Sequence, residues 1–84
     1  MYEARYDPLA EKQLEKLERE IARRIVKKIS EVAETGHGIE TIKEKAYGYK
    51  IRIGDYRALL DITYNPNILW IRYIEHRGKV YKRR

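Results

Sequence analysis

The apolar residues of the first 35 positions recur at the spacing of an amphipathic helix. They follow one another at intervals of three or four and form one stripe: Ala10, Leu14, Leu17, Ile21, Ile25, Ile29 and Val32. Asp7-Pro8 is a helix-start signal, and Gly36 suits a helix end. A single helix here would have about seven turns and would overhang a domain of this length. We therefore expect a helical hairpin with a break near Glu18–Glu20.

The remaining segments alternate between apolar and polar residues, as strands do. Residues 2–6 predict a short edge strand ahead of the helices. Three longer strands are predicted, separated by turn signals at Gly54-Asp55 and Asn65-Pro66-Asn67: Tyr47–Ile53, Tyr56–Tyr64 and Ile68–Glu75. The last strand is apolar on both faces, which favours a position inside the sheet. Residues 38–46 show neither pattern and are expected to form a connector.

These elements predict one α+β domain over residues 1–84, in the order β-α(α)-β-β-β. An antiparallel sheet, formed mainly by the C-terminal strands, would have the helical hairpin packed on one face and its other face open. The chain has no cysteine, no apolar run near the ~18 residues of a membrane span, and no apolar stretch of a signal peptide at its start. We therefore expect a cytoplasmic protein without a membrane partner.

The charge is segregated along the chain. Residues 1–45 hold ten Lys or Arg against ten Asp or Glu, whereas residues 46–84 hold nine against three, which accounts for the whole net charge of +6. A one-sided positive field is typical of a protein with a polyanionic partner, and nucleic acid is the first candidate. A charged surface that only keeps the protein soluble is the alternative.

Strand alternation places several of these cations on the open face of the predicted sheet. If the apolar residues of the first hairpin face the core, its basic residues lie together on the opposite face. The predicted set comprises Lys50, Arg52 and Arg57 on the hairpin, with Arg77 and Tyr81 beyond the last strand. Such a cluster repels itself unless an anion lies within it, and the arginine fork suits phosphate. Taken alone, each of these cations is also consistent with a charge that keeps an exposed sheet from aggregating with another chain.

Two stretches resemble a known family: YGYKIRIGDYRALLDI and WIRYIEHRGKVYKRR. Together with the first strand and the helical pair, they are similar to the RelE branch of the RelE/ParE superfamily of bacterial and archaeal toxins. The resemblance implies the RelE-like fold and an endoribonuclease that cleaves messenger RNA in the ribosomal A site. It also implies the ribosome and mRNA as partners, and inhibition by a cognate antitoxin in an oligomeric toxin–antitoxin complex.

The resemblance carries roles over to five positions. Lys50 and Arg52 match the paired basic residues of the family's second strand, although the second of the pair is lysine in the best-known members. Arg57 matches the arginine that follows the hairpin turn. Arg77 and Tyr81 match the terminal arginine and tyrosine, with a shorter interval than in some members.

The implied reaction is a transesterification that uses neither a metal nor another cofactor. The 2′-OH attacks the adjacent phosphorus, which requires a base, charge stabilisation and a proton for the leaving oxygen. Our hypothesis makes Tyr81 the base, Arg77 the proton donor or phosphate clamp, and the three hairpin cations the stabilisers of the transition state. His76 and Lys79 are added as RNA contacts. Alternation also allows His76 to point to the other face, where it would be structural or interfacial.

Two other functions fit the same residues. A ParE-like toxin would have the same fold and act on DNA gyrase, although such members generally lack this basic set. A non-catalytic basic module would bind nucleic acid in a salt-sensitive way and release no cyclic phosphate product. Codon-edge cleavage of mRNA, gyrase-linked DNA breaks and simple binding are the outcomes that separate the three.

Overall fold

The computed structural model describes residues 1–43 and 47–77 of the chain. These residues form two helices and five strands: β1 Glu3–Tyr6, α1 Pro8–Glu15, α2 Arg19–Thr35, β2 Glu40–Thr41, β3 Tyr49–Ile53, β4 Tyr56–Thr63 and β5 Ile68–His76. The strands make one sheet in the order β1-β5-β4-β3-β2. β1 runs parallel to β5, and the other neighbours are antiparallel. None of the described helices is long and apolar enough to cross a membrane.

The helical hairpin is confirmed, with its break slightly earlier than predicted. α1 ends where the N–H groups of Lys16 and Leu17 bond to carbonyls three residues back, and Glu18 then takes an extended conformation. α2 ends at Gly36, whose φ of 79° is accessible to glycine without strain and whose N–H donates to the Val32 carbonyl. The hairpin lets the apolar stripe of α2 pack on the sheet.

The core lies between the helices and one face of the sheet. Side chains with no exposed surface come from both layers: Ala10, Ile25 and Ile29 from the helices, and Ile51, Ala58, Leu60, Leu69 and Ile71 from the strands. Ile51 alternates with the polar Lys50 and Arg52 as the sequence pattern predicts, whereas Leu59, between Ala58 and Leu60, is apolar and buried as well. The opposite face of the sheet carries Lys50, Arg52 and Arg57 and is called the open face below.

A β-bulge explains why β5 is apolar at irregular intervals. Leu59 lies opposite Tyr73, but Leu60 lies opposite Ile71, so that Arg72 is an extra residue in β5. The extra residue allows Ile71 and Ile74, an odd number of positions apart, to face the same core. It also turns Glu75 toward Arg57 on the open face.

The predicted α+β class, the edge position of β1 and the internal position of β5 are confirmed. One detail of the predicted sheet was wrong, and the structure of the connector was not predicted. The sheet is mixed, because β1 pairs with β5 in parallel. The connector contains an additional strand, β2, which pairs Glu40 with Lys50 and Thr41 with Tyr49. Two residues are too short a segment for an alternating pattern to be recognised.

Burial of one tyrosine predicts a loss of stability at alkaline pH. Tyr6 packs against the core, and burial raises the pKa of its phenol to about 12. A folded-state pKa above the ordinary ~10 means that the neutral phenol stabilises the fold fully below pH ~10 and that this contribution is lost as pH rises through ~12. Because Tyr6 is only partly buried, solvent screening reduces the effect, and we expect wild type to lose about 1 kcal/mol more than Tyr6→Phe between pH ~9 and ~12. Urea denaturation of both proteins across this range measures the difference, and parallel pH profiles would contradict the prediction.

Candidate functional site

The basic residues of the first hairpin lie together on the open face. Gly54, with a φ of 60°, and Asp55 form the turn, which fixes Arg52 directly opposite Arg57. Lys50 lies two residues before Arg52 and therefore on the same face of β3. These three residues are called the strand cluster: Lys50, Arg52 and Arg57. Their predicted placement on one face is confirmed by the register.

Two carboxylates flank the strand cluster, one on each neighbouring strand. Glu75 of β5 pairs with a terminal nitrogen of Arg57, and both side chains are largely shielded, with 14% and 25% of their surface exposed. Glu40 of β2 lies 3.3 Å from Arg52 Nε and 3.9 Å from Lys50 Nζ. Like charges directly opposite on a sheet repel, and these carboxylates offset that repulsion. The chain itself therefore supplies part of the negative charge that the cluster requires.

The strand cluster nevertheless keeps the capacity to bind an anion. Within the described residues the Glu75 contact uses only one nitrogen of the Arg57 guanidinium, so its other donors remain available. Arg52 has 56% of its side chain exposed, and its pair with Glu40 is of the exposed kind that contributes little. A phosphate with two charged oxygens can compete for these donors.

The candidate site extends to the end of β5. The Arg77 N–H donates to the Asp55 carbonyl at 2.8 Å, which holds the end of β5 against the hairpin turn. Arg77 is exposed and lies at the same end of the sheet as Arg52 and Arg57. Lys79 and Tyr81 lie outside the described residues, so their predicted positions are not tested.

His76 lies on the other face of the sheet from the strand cluster. It is opposite Tyr56, and the two rings make an edge-to-face contact with centroids 4.7 Å apart. Tyr56 belongs to the set of residues that faces the helices. The structure thus places His76 where the structural or interfacial alternative has it, away from Arg57.

The sequence pattern did not identify either flanking carboxylate. Glu40 lies in the segment predicted as a connector, and Glu75 reaches Arg57 only because of the bulge at Arg72. Charge alternation along β5 is the only local signal, since Glu75 follows the buried Ile74. No three His, Asp or Glu side chains are grouped as metal ligands would be within residues 1–43 and 47–77.

A second polar group on the open face holds β1, β4 and β5 together. Arg72 donates from Nε to Asp61 at 2.9 Å and from Nη1 to both oxygens of Asp7 at 3.1 Å. The hydrogen bond to Asp61 raises the pKa of the Arg72 guanidinium. Asp7 precedes α1 as predicted, but its side chain makes no capping bond and binds Arg72 instead. Arg5 and Arg72 lie 5.7 Å and 5.6 Å from the Trp70 ring.

Arg5 and Arg72 both lie over the Trp70 ring, but their other contacts predict that they contribute differently to the free energy of unfolding. Arg72→Ala leaves two half-buried carboxylates without their partner and is expected to lower the free energy of unfolding by about 1–2 kcal/mol. Arg5→Ala removes an equal contact with Trp70 but only an exposed pair with Glu3, and is expected to cost under about 0.5 kcal/mol. Urea denaturation at neutral pH compares the two variants. Equal losses of unfolding free energy in the two variants would show that the ion pairs of Arg72 with Asp7 and Asp61 add no stability.

The family follows from a comparison with known proteins. Residues 4–81 match the family model described as the ParE toxin of the type II toxin–antitoxin system parDE. The chain belongs to this toxin family. The toxin is accordingly a member of the RelE/ParE superfamily, as the resemblance of its hairpin and terminal motifs implies. No curated protein matches the toxin by sequence.

Three solved toxin–antitoxin complexes contain chains similar in fold to the toxin. One from the RelBE2 complex of Mycobacterium tuberculosis superposes with a TM-score of 0.79 at 23% identity, covering 90% of the toxin and 98% of that chain. One from the archaeal RelE–RelB complex of Pyrococcus horikoshii gives 0.69 at 19%, covering 93% and 97%. One from the RelB–RelE complex of Methanococcus jannaschii gives 0.66 at 24%, covering 90% and 93%. At these identities the similarity establishes the fold.

Proposed function

We propose that this toxin is an endoribonuclease that cleaves messenger RNA in the ribosomal A site and thereby inhibits translation. The observation that carries the proposal is the strand cluster: Lys50, Arg52 and Arg57 share the open face, with Arg77 held at the same end of the sheet. These four cations outnumber the flanking carboxylates by two. A surface with a surplus of cations, three of them arginines with forked donors, suits the phosphate of an RNA strand.

The proposed reaction is attack of a ribose 2′-oxygen on the adjacent phosphorus. The new bond joins this oxygen to phosphorus, the bond from phosphorus to the 5′-oxygen breaks, and the products carry a 2′,3′-cyclic phosphate and a 5′-OH. Tyr81 takes the proton of the 2′-OH, and Arg77 protonates the leaving oxygen or clamps the phosphate. The strand cluster stabilises the charge of the pentacoordinate transition state.

The flanking carboxylates have a positioning role in this proposal. Glu75 holds the Arg57 guanidinium by one nitrogen, and Glu40 lies between Lys50 and Arg52. Side chains that are already oriented lose less conformational freedom when phosphate binds. The carboxylates therefore keep the cations in place before the substrate arrives.

An antitoxin is the proposed protein partner, and the ribosome with its mRNA is the proposed target. The three solved structures described above are named as complexes of a toxin of this fold with its antitoxin. Action on translating ribosomes places the toxin in the cytoplasm. A short neighbouring gene for an acidic protein that rescues growth would identify the antitoxin.

A ParE-like action on DNA gyrase is the second candidate, because the matching family model is named for parDE. Induced expression in growing cells separates the two targets. RNA cleavage predicts new mRNA 5′ ends within codons, mapped by primer extension, without gyrase-linked DNA breaks. Gyrase-linked breaks with intact mRNA would replace the proposal by the second candidate, and salt-sensitive RNA binding without either product would leave a non-catalytic module.

A further inference from the structure

The open face carries two aromatic side chains on β5, an internal strand of the sheet. Leu59 and Asp61 follow Arg57 at intervals of two and therefore lie on the open face of β4. Tyr73 lies opposite Leu59, and Trp70 lies opposite Asp61, so both aromatic side chains share this face. Both are partly exposed. These two residues are called the aromatic row: Tyr73 and Trp70.

Contacts with its neighbours hold the Trp70 ring in one orientation. Its indole N–H donates to the Thr63 hydroxyl at 2.9 Å. The guanidinium carbons of Arg5 and Arg72 lie 5.7 Å and 5.6 Å from the ring centroid. A guanidinium in van der Waals contact above the ring centre would lie about 3.5–4 Å away. Neither arginine is stacked closely on the ring centre, which leaves ring surface for another planar group.

The two arginines beside this ring differ in the donors that they have left. Within the described residues, the only ion pair of Arg5 joins its Nε to Glu3 at 3.0 Å, so its terminal nitrogens can bind an anion. Arg72 is instead held by Asp7 and Asp61. A ligand at this end of the open face therefore meets an aromatic ring and one arginine with free donors. That combination suits a nucleotide, which has a flat base and an anionic phosphate.

The aromatic row begins beside the strand cluster. Lys50, Leu59 and Tyr73 lie side by side on three neighbouring strands, so that Tyr73 is about 10 Å from Lys50 across the sheet. Trp70 lies opposite the residue four positions after Arg57, which places it about 14 Å from Arg57 along β4. A single RNA strand covers such a distance with a few nucleotides, since its step is ~3.4 Å when stacked and longer when the bases are splayed apart.

We propose that the aromatic row is a base-stacking platform for single-stranded RNA. In this arrangement the strand cluster holds one phosphate, and bases a few nucleotides away stack on Tyr73 and Trp70. The position of that phosphate rests on the proposed function. Every base has a π-face, so the platform adds affinity without selecting a sequence. The hydrogen bond to Thr63 orients the indole in advance, which reduces the conformational freedom lost on binding.

The platform has a defined place in the proposed reaction. Stacking on Trp70 takes place away from the reacting phosphorus and is equally strong in the bound substrate and in the transition state. Loss of the ring should therefore raise the KM of mRNA cleavage and leave kcat nearly unchanged. This division distinguishes Trp70 from Arg57, whose removal is expected to act on kcat.

Trp70 is the single tryptophan of the chain, so stacking on it can be observed directly. The probe is a single-stranded RNA of about six nucleotides with 2′-O-methyl groups, which cannot undergo the proposed transesterification. A base stacked on Trp70 quenches indole fluorescence, so we expect the emission to fall as the oligonucleotide binds. An abasic chain of the same length carries the same phosphates and should leave the emission nearly unchanged.

Three variants separate aromatic stacking from other effects on affinity, measured by the anisotropy of a dye-labelled oligonucleotide. Trp70→Leu keeps an apolar side chain but removes the ring, and should weaken binding about tenfold, as for the loss of one stacked base. Trp70→Phe restores a ring and should bind within about threefold of wild type. The matched control Tyr64→Leu removes an exposed ring just beyond β4, and should bind within about twofold.

Four results would overturn the proposal. Two concern fluorescence: unchanged indole emission when the oligonucleotide binds, and equal quenching by the abasic chain, which would indicate an effect of charge alone. Two concern affinity: equal binding by Trp70→Leu and wild type, and no binding at about millimolar oligonucleotide.

The proposed cleavage is judged separately, from the ends of mRNA fragments made on ribosomes. A toxin that cleaves mRNA but fails the stacking tests keeps the proposed function and loses the platform. A toxin that passes the stacking tests but leaves mRNA intact keeps the platform and loses the proposed function.

Discussion

Replacing Arg57 by alanine is expected to slow mRNA cleavage by roughly 100- to 1,000-fold, the usual cost of removing one preorganised donor from a developing charge. Arg57 is the member of the strand cluster whose position is best determined. The two-residue turn places it opposite Arg52, and Glu75 orients its guanidinium from the next strand. The loss should appear in kcat more than in KM, because Arg57 stabilises the transition state in this proposal.

Glu75 supplies the control for this prediction. Arg57→Ala alone leaves a largely shielded carboxylate without its partner and lowers stability. Arg57→Ala/Glu75→Gln removes that unpaired charge, so it should regain stability and remain inactive. Glu75→Gln alone retains the Arg57 cation and should keep more cleavage activity than either variant that lacks Arg57. Single-turnover cleavage and thermal unfolding of the four proteins measure both effects, and a wild-type rate in a folded Arg57→Ala variant would remove Arg57 from the mechanism.

Tyr81→Phe is expected to slow cleavage by about two to four orders of magnitude while RNA binding is largely kept. The substitution removes only the phenolic oxygen that takes the 2′-OH proton in our hypothesis. Cleavage rates and RNA affinity are measured on the same preparations. An unchanged rate would show that another group is the base.

Tyr64→Phe is the matched control for the terminal tyrosine. It removes the same atom from an exposed side chain just beyond the opposite end of β4 from Arg57. We expect a rate within about threefold of wild type, as for a surface change without a contact at the site. A large loss in this control would point to an effect on folding rather than on chemistry.

Local sequence patterns were sufficient to predict the placement of the strand cluster. Alternation along β3 separates Lys50 and Arg52 from the buried Ile51, and a two-residue turn determines the register across the hairpin. Both signals operate over a few residues. The core stripe of α2 was predictable for the same reason, since its apolar residues repeat at helical spacing.

The carboxylates of the site depend on long-range structure. Next to the second turn Thr63 lies opposite Ile68, and this register continued along β4 would bring Ile74 opposite Arg57. The bulge at Arg72 replaces Ile74 by Glu75 at that position. Arg72 is bound by Asp61 and by Asp7, which lies 65 positions away in the sequence. A contact between residues so far apart in the sequence leaves no local sequence pattern from which the bulge could be predicted.

The surface between α2 and β1 also arises from tertiary structure. α2 alone shows a basic surface with one exposed valine. This surface exists only because β1 pairs in parallel with β5, at the edge of the sheet beside α2. Sequence periodicity gives the direction of a side chain within an element, but it does not determine which elements become neighbours.

The most direct test of the account is a reaction with purified components: ribosomes that hold a defined mRNA with an empty A site, incubated with the wild-type chain. We predict a single cut within the A-site codon, a 2′,3′-cyclic phosphate on the upstream fragment and a 5′-OH on the downstream one, with the cut strongly slowed by Arg57→Ala. An intact mRNA in the presence of the folded wild-type chain, or fragments that carry a 5′-phosphate, would contradict the proposed function.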